Sequence, residues 1–151
     1  MIIEEPKPKT RKRSNPEHKL QAEMVKWYAE KFPDNRGALI ATFQETPDAI
    51  KGGIMKSLGL VASVSDLLYF CEDQFPYIIG IEVKAKGTYH SVEHLRSQAK
   101  WLIRYPKYGW FCDNIESFGR IIMSNGMWGG IDPRKILEKL ENEKRQKILW
   151  E

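Results

Sequence analysis

The chain has 151 residues, 42% of them hydrophobic, with 5 Trp, 6 Tyr and 6 Phe and a net charge of +4. That length and composition suit one folded domain with a sizeable core and exclude a disordered chain. No apolar run is long enough to span a bilayer, the polar start MIIEEPKPKTRKRS is unlike a signal peptide, and Cys71 and Cys112 lie in apolar stretches without metal-ligand spacing; a cytoplasmic protein with reduced core thiols is expected.

Residues 1–14 read as a flexible arm in which Lys7, Lys9, Arg11, Lys12 and Arg13 are interrupted by prolines. Such a run is either a solvated terminus or a contact for nucleic-acid phosphates. NPEHKLQAEMVKWYAEKFP then predicts a helix: Asn15 caps it, Pro16 suits the first turn, Pro33 stops it, and Leu20, Met24, Trp27 and Tyr28 make its apolar stripe. GALIATF (37–43) predicts a short strand, and residues 44–59 a turn-rich stretch with a helical turn around 50–57. Two strands, 66–71 and 77–84, flank the polar turn EDQFP. SVEHLRSQAKWLIRY (91–105) predicts a second helix, GWFCD (109–113) a strand, and IESFGRIIMS a short helix or a final strand. Asp132 and Pro133 open a charged helix expected to run to the C-terminus. The order predicts an α/β fold, a mixed β-sheet flanked by helices, divided into the basic arm (1–14), the folded domain (15–131) and a C-terminal helix (132–151).

The hairpin SDLLYFCEDQFPYIIGIEVKAK carries charges where a sheet disfavours them. If Cys71 pairs with Tyr77, counting back places Asp66 opposite Glu82, and directly opposed residues share a face with Cβ atoms ~4.5–5.5 Å apart. Lys84, two residues from Glu82, shares that face too. Two adjacent carboxylates repel unless a cation intervenes, and a hard divalent ion held there activates water and stabilises charge on a phosphate. The same residues also make an ordinary salt bridge on a solvated face. Gln98 falls on the apolar stripe Leu95, Ala99 and Leu102 of the second helix, as a satisfied core amide or as a group reaching the site. Glu17, one turn from Gln21, is a first-turn surface carboxylate or a third acidic ligand. His90 and His94 are four apart, but His90 precedes the expected cap Ser91, so helical spacing does not make them a ligand pair.

Glu17 and Gln21 in EHKLQ, Asp66 in GLVASVSDLL, Glu82 and Lys84 in IEVK, and Gln98 in SVEHLRSQAKWL together resemble the VRR-NUC branch of the PD-(D/E)XK nuclease superfamily, over about residues 15 to 118. The resemblance implies a restriction-endonuclease-like core and a phosphodiesterase dependent on Mg²⁺ or Mn²⁺. It implies Glu17, Asp66 and Glu82 as metal ligands, with the Val83 backbone carbonyl facing a metal. Lys84 matches the catalytic lysine, Gln98 the supporting glutamine of the catalytic set, and Gln21 a recurrent helix glutamine near the site. The family often has G-x-K-x-G-x-P-D before the first strand; here Val61, Ser63 and Ser65 stand at the Lys, Gly and Pro places. A literal Pro47-Asp48 is followed by AIKGG, which does not make a central strand, whereas Asp66 is followed by LLYF, which does.

The chain resembles the small stand-alone enzymes of bacteria and their phages, which act as homodimers on branched DNA such as four-way junctions or flaps. The stretch IIMSNGMWGGI (121–131) either offers apolar surface for such a dimer or packs under the C-terminal helix. The expected partner is therefore DNA, with no membrane contact. The alternatives are a non-catalytic nucleic-acid-binding module retaining the nuclease fold, and a structural protein with surface salt bridges.

Overall fold

The computed structural model describes residues 15–42, 53–54, 57–58 and 63–151. The basic arm with Lys7, Lys9, Arg11, Lys12 and Arg13, most of the 44–59 stretch including Asp48, and Val61 lie outside the described residues. Helix α1, Pro16–Lys31, starts where Asn15 Oδ1 accepts from the Glu17 N–H at 2.9 Å, and Pro16 occupies its first turn. A short 3₁₀ turn, Pro33–Ala38, leads into strand β1, Leu39–Ala41. Strands β2, Leu67–Cys71, and β3, Tyr77–Val83, form the hairpin. Strand β4, Tyr89–Ser91, runs into helix α2, Val92–Arg104, which Ser91 caps by accepting from the His94 N–H. Strand β5, Tyr108–Cys112, helix α3, Ile115–Met123, helix α4, Pro133–Leu140, and strand β6, Lys147–Leu149, complete the chain.

The main sheet has the order β1-β2-β3-β5, antiparallel across the first two pairs and parallel between β3 and β5. This is the expected mixed sheet flanked by helices. One face carries Leu67, Tyr69, Ile79, Ile81, Val83 and Cys112, packed against Met24 and Tyr28 of α1 and Phe118, Ile121 and Ile122 of α3. The other face receives α2, whose Val92, Leu95, Ala99 and Leu102 join Phe111, Leu140 and Trp150 in a second cluster. Both Cys71 and Cys112 are free and buried, and burial pushes the Cys112 thiol up to about 12. Among the described residues no helix is long and apolar enough to cross a membrane.

Of the two readings of IESFGRIIMS the structure takes the helix, with Asn114 accepting from the Ser117 N–H to cap it. One expectation changes. The C-terminal helix ends at Leu140, and the chain returns as β6 to pair antiparallel with β4, a short strand in a stretch to which the sequence assigned no element. The tertiary reason is Trp150. It is buried against Phe111 at 5.5 Å between ring centroids, its indole N–H donates to Asp113 Oδ2, and its backbone bonds to Gly87 and Thr88. A continued helix would leave that side chain without this pocket.

Two glycines set the distance between sheet and helix. Gly80 and Gly109 are paired neighbours on β3 and β5, and both face α2. A Cβ on Gly109 would collide with the Leu102 backbone carbonyl, and one on Gly80 would meet Ser65 Oγ and the Trp101 ring at 3.0 Å. Their bare backbones let α2 settle close to the sheet one step from Glu82.

Candidate active site

The ladder between β2 and β3 pairs Cys71 with Tyr77 and Leu67 with Ile81. One step further, Asp66 stands opposite Glu82, the register that a symmetric turn predicts. At this point side chains replace the backbone ladder. The Asp66 N–H donates to Glu82 Oε2 at 3.2 Å, and the Val83 N–H donates to Asp66 Oδ2 at 2.8 Å. Because a strand residue directs its N–H and C=O to the same edge, the Val83 carbonyl also points to the Asp66 side. Lys84 Nζ lies 3.4 Å from Glu82 Oε1, and Gln98 Nε2 donates to that same oxygen at 2.7 Å.

These groups are not on a solvated face. Glu82 is 3% exposed, Lys84 2% and Gln98 6%. The ordinary surface salt bridge is thereby replaced by a buried, multiply bonded ion pair, a costly arrangement unless its partners are well placed. Burial pushes the Glu82 carboxyl well above its usual range, the Asp66 charge adds to this, and Lys84 works against it. Burial also raises Asp66, although hydrogen bonds from Glu82 and Val83 and the Lys84 charge oppose the shift. The two acids therefore disfavour simultaneous ionisation unless further positive charge arrives.

Glu17 reaches the same neighbourhood from the first turn of α1. Burial works to raise its pKa, but His90 and the Lys84 charge outweigh it, and the group sits below its ordinary value. His90 Nε2 is 3.0 Å from Glu17 Oε1 and 2.7 Å from Thr88 Oγ1. Since the Thr88 hydroxyl donates to the Ala85 carbonyl, it accepts from His90, and the one Nε2 hydrogen is directed there. Glu17 Oε1 consequently keeps an ion-pair contact but no well-directed hydrogen bond, and it is buried. Gln98 Oε1 is likewise buried without a partner. Gln21 is half-buried one turn along α1 from Glu17.

The structure thus brings Asp66, Glu82, Lys84 and Gln98 into one bonded cluster, with Glu17 beside it through His90 and the Lys84 field. His90 and His94 are the site neighbours that sequence reasoning set aside. The usable signal was the one-turn spacing of His94 and Gln98, which puts both on one helix face. Among the described residues no three His, Cys, Asp or Glu side chains stand close enough to form a ready metal cage. Mg²⁺, however, is commonly held by one or two carboxylates with waters completing its shell. The Asp66 and Glu82 carboxylates, the Val83 carbonyl on the Asp66 side and the nearby Glu17 carboxylate are hard donors of that kind, so the donor set fits such an ion.

Met123, Met127 and Trp128 are exposed, whereas Ile121 and Ile122 are buried. The first three do not pack under α4. Compared with family models, characterised proteins and solved structures, the chain gives no significant match.

Proposed function

We propose that the protein is a divalent-metal-dependent endonuclease that hydrolyses DNA phosphodiester bonds, with a preference for branched substrates. The observation that carries this reading is the pairing of half-buried Asp66 with buried Glu82 across a strand end, Glu82 being bonded in turn to a buried lysine and glutamine. A structural role alone explains such a cluster poorly, because apolar residues of similar volume stabilise a core at least as well. A bound Mg²⁺ or Mn²⁺ would supply Lewis-acid charge and lower the pKa of water; Asp66, Glu82 and the Val83 carbonyl are the proposed ligands, with Glu17 reaching it directly or through water. Lys84 holds the attacking water and offsets the negative charge that grows on the phosphate oxygens. Attack forms one O–P bond and breaks the P–O bond to the leaving strand; the proton lost by the water is matched by one gained by the leaving oxygen.

The resemblance to PD-(D/E)XK nucleases gains support from Ser63, which adopts a φ of 68° at the place where that family often has glycine. The exposed Met123, Met127 and Trp128 support a homodimer, which would give the two sites needed to cut paired strands of a junction.

The test is cleavage of linear duplex, flap, splayed-arm and four-way-junction DNA with Mg²⁺ or Mn²⁺, alongside light scattering. We expect metal-dependent nicking of branched DNA by a dimer. Metal-independent DNA binding without cutting of any substrate would instead favour the non-catalytic module.

A further inference from the structure

Gln98 donates to Glu82 Oε1 at 2.7 Å, and the same amide nitrogen lies 3.1 Å from His94 Nε2. An amide nitrogen carries two hydrogens. One is taken by the carboxylate. The second needs an acceptor, so His94 Nε2 must present its lone pair and Nδ1 must carry the ring proton. Burial, together with the Lys84 and His90 charges, holds His94 below its ordinary pKa against the opposing pull of Asp66 and Glu17, in keeping with a neutral ring. With both amide hydrogens committed, the amide has one allowed orientation. Its flipped form would set two acceptors, Gln98 Oε1 and Glu82 Oε1, against each other and leave His94 Nε2 unpaired. In the allowed orientation Gln98 Oε1 is buried without a partner among the described residues. A buried carbonyl left so carries a desolvation penalty that a bound proton donor would remove.

We propose that His94 is a positioning residue: by accepting from Gln98 Nε2 it locks the amide so that Gln98 Oε1 is presented to the attacking water. The inference rests on the nuclease reading above. Gln98 Nε2 and Lys84 Nζ approach one oxygen, Glu82 Oε1, at 2.7 and 3.4 Å, so the Gln98 amide and the Lys84 ammonium border the same small volume. A water that donates one hydrogen to Gln98 Oε1 and accepts from Lys84 Nζ keeps a second lone pair for phosphorus. His94 touches neither the water nor the phosphate; it decides which end of the Gln98 amide meets them.

Two measurements test this. In the full chain without metal or DNA, ¹⁵N shifts of His94 should show Nε2 unprotonated and Nδ1 protonated; an Nε2-protonated ring overturns the proposal. In cleavage assays His94→Gln, which retains an acceptor, should stay within about threefold of wild-type kcat, whereas His94→Leu should lower kcat about tenfold or more with KM for DNA unchanged. The Leu substitution should add nothing in a Gln98→Leu background. Full activity of His94→Leu, or equal losses in the Gln and Leu variants, overturns the positioning role. If His94→Leu fails to fold, the tautomer and the Gln variant decide. A wild-type protein that cuts nothing would instead sink the nuclease reading and the role of the water, while the tautomer would still decide the His94–Gln98 pairing.

Discussion

Strand β3 has two faces built on opposite rules. Ile79, Ile81 and Val83 point into one side and are completely buried among the side chains of α1, α3 and β2. Gly80, Glu82 and Lys84 point into the other, at nearly the same depth, and meet Ser65, Gln98 and each other. The first face is held by apolar area, worth about 25 cal/mol per Å² and indifferent to direction. The second depends on direction, since each buried charge or amide needs a partner at the right angle. A sheet gains little stability from the second face, which is the physical ground on which the catalytic proposal rests.

The largest expected effect separates the faces by activity. Asp66→Asn keeps an acceptor for the Val83 N–H but removes the negative charge, and Lys84→Met removes the ammonium. Each should lower metal-dependent cleavage by at least about 10³-fold. Ile81→Val, on the opposite face of the same strand, should cost about 1 kcal/mol of stability and leave kcat within a fewfold of wild type. If Ile81→Val lost as much cleavage as Asp66→Asn, the division between a structural and a chemical face would fail.

Next come the contacts that bring α2 onto the polar face. Gly109→Ala places a Cβ against the Leu102 carbonyl, a backbone atom that cannot swing away. Destabilisation of about 3 kcal/mol is expected, with a loss of cleavage as Gln98 is pushed off Glu82. Gly80→Ala meets mainly side-chain atoms at 3.0 to 3.2 Å and should cost less. Urea denaturation of the two variants ranks them, and equal midpoints would show that α2 moves freely over the sheet. The ion pair itself is of similar size. Lys84→Met should cost about 3 kcal/mol by leaving Glu82 without its buried cation, and adding Glu82→Gln should recover much of that loss while cleavage stays absent. A double variant less stable than Lys84→Met would mean that Glu82 is not left as an uncompensated buried charge when the lysine is removed.

Much of this site was legible before the fold. The alternation of Gly80, Glu82 and Lys84 against Ile79, Ile81 and Val83 and the symmetric EDQFP turn set the register that puts Asp66 across from Glu82. The α2 stripe likewise announced an inward Gln98. What was hidden depends on contacts distant in sequence. The β4–β6 pairing is specified by the fit of Trp150 against Phe111 and Asp113, far away along the chain, while KRQKIL has a charged composition that suits an exposed helix equally well. His90 is drawn to Glu17 only because β4 passes the start of α1. The depth of Lys84 was also hidden: periodicity assigns a face, and only the arrival of α2 turns that face from solvated to buried.

The smallest effect concerns pH, at no more than about 1.4 kcal/mol per pH unit for each proton involved. A carboxyl whose folded pKa is raised binds its proton more tightly in the fold. Its contribution favours folding while the proton is on, and is lost as pH climbs through the raised value. For Asp66 and Glu82 that loss begins above their ordinary values of 3.8 and 4.5 and extends upward. His94, with a lowered pKa, acts in the reverse sense. Its contribution is present above its ordinary value of 6.5 and is lost as pH falls toward the lowered one. Through the stretch between 4.5 and 6.5 the polar face thus holds opposed proton linkages. Asp66→Asn removes one of the acids without removing its hydrogen bond to Val83, so its melting temperature should fall less than that of the wild type as pH rises from the ordinary carboxyl values through the raised ones. Mg²⁺ should oppose the same decline in the wild type, because an ion that binds ionised carboxylates stabilises most where they are deprotonated. Its melting shift should therefore grow with pH in the wild type and shrink in Asp66→Asn. Ile81→Val, carrying no proton, should leave the pH slope unchanged. A wild-type Mg²⁺ shift that is equal at both ends of the range would place the ion away from Asp66 and Glu82.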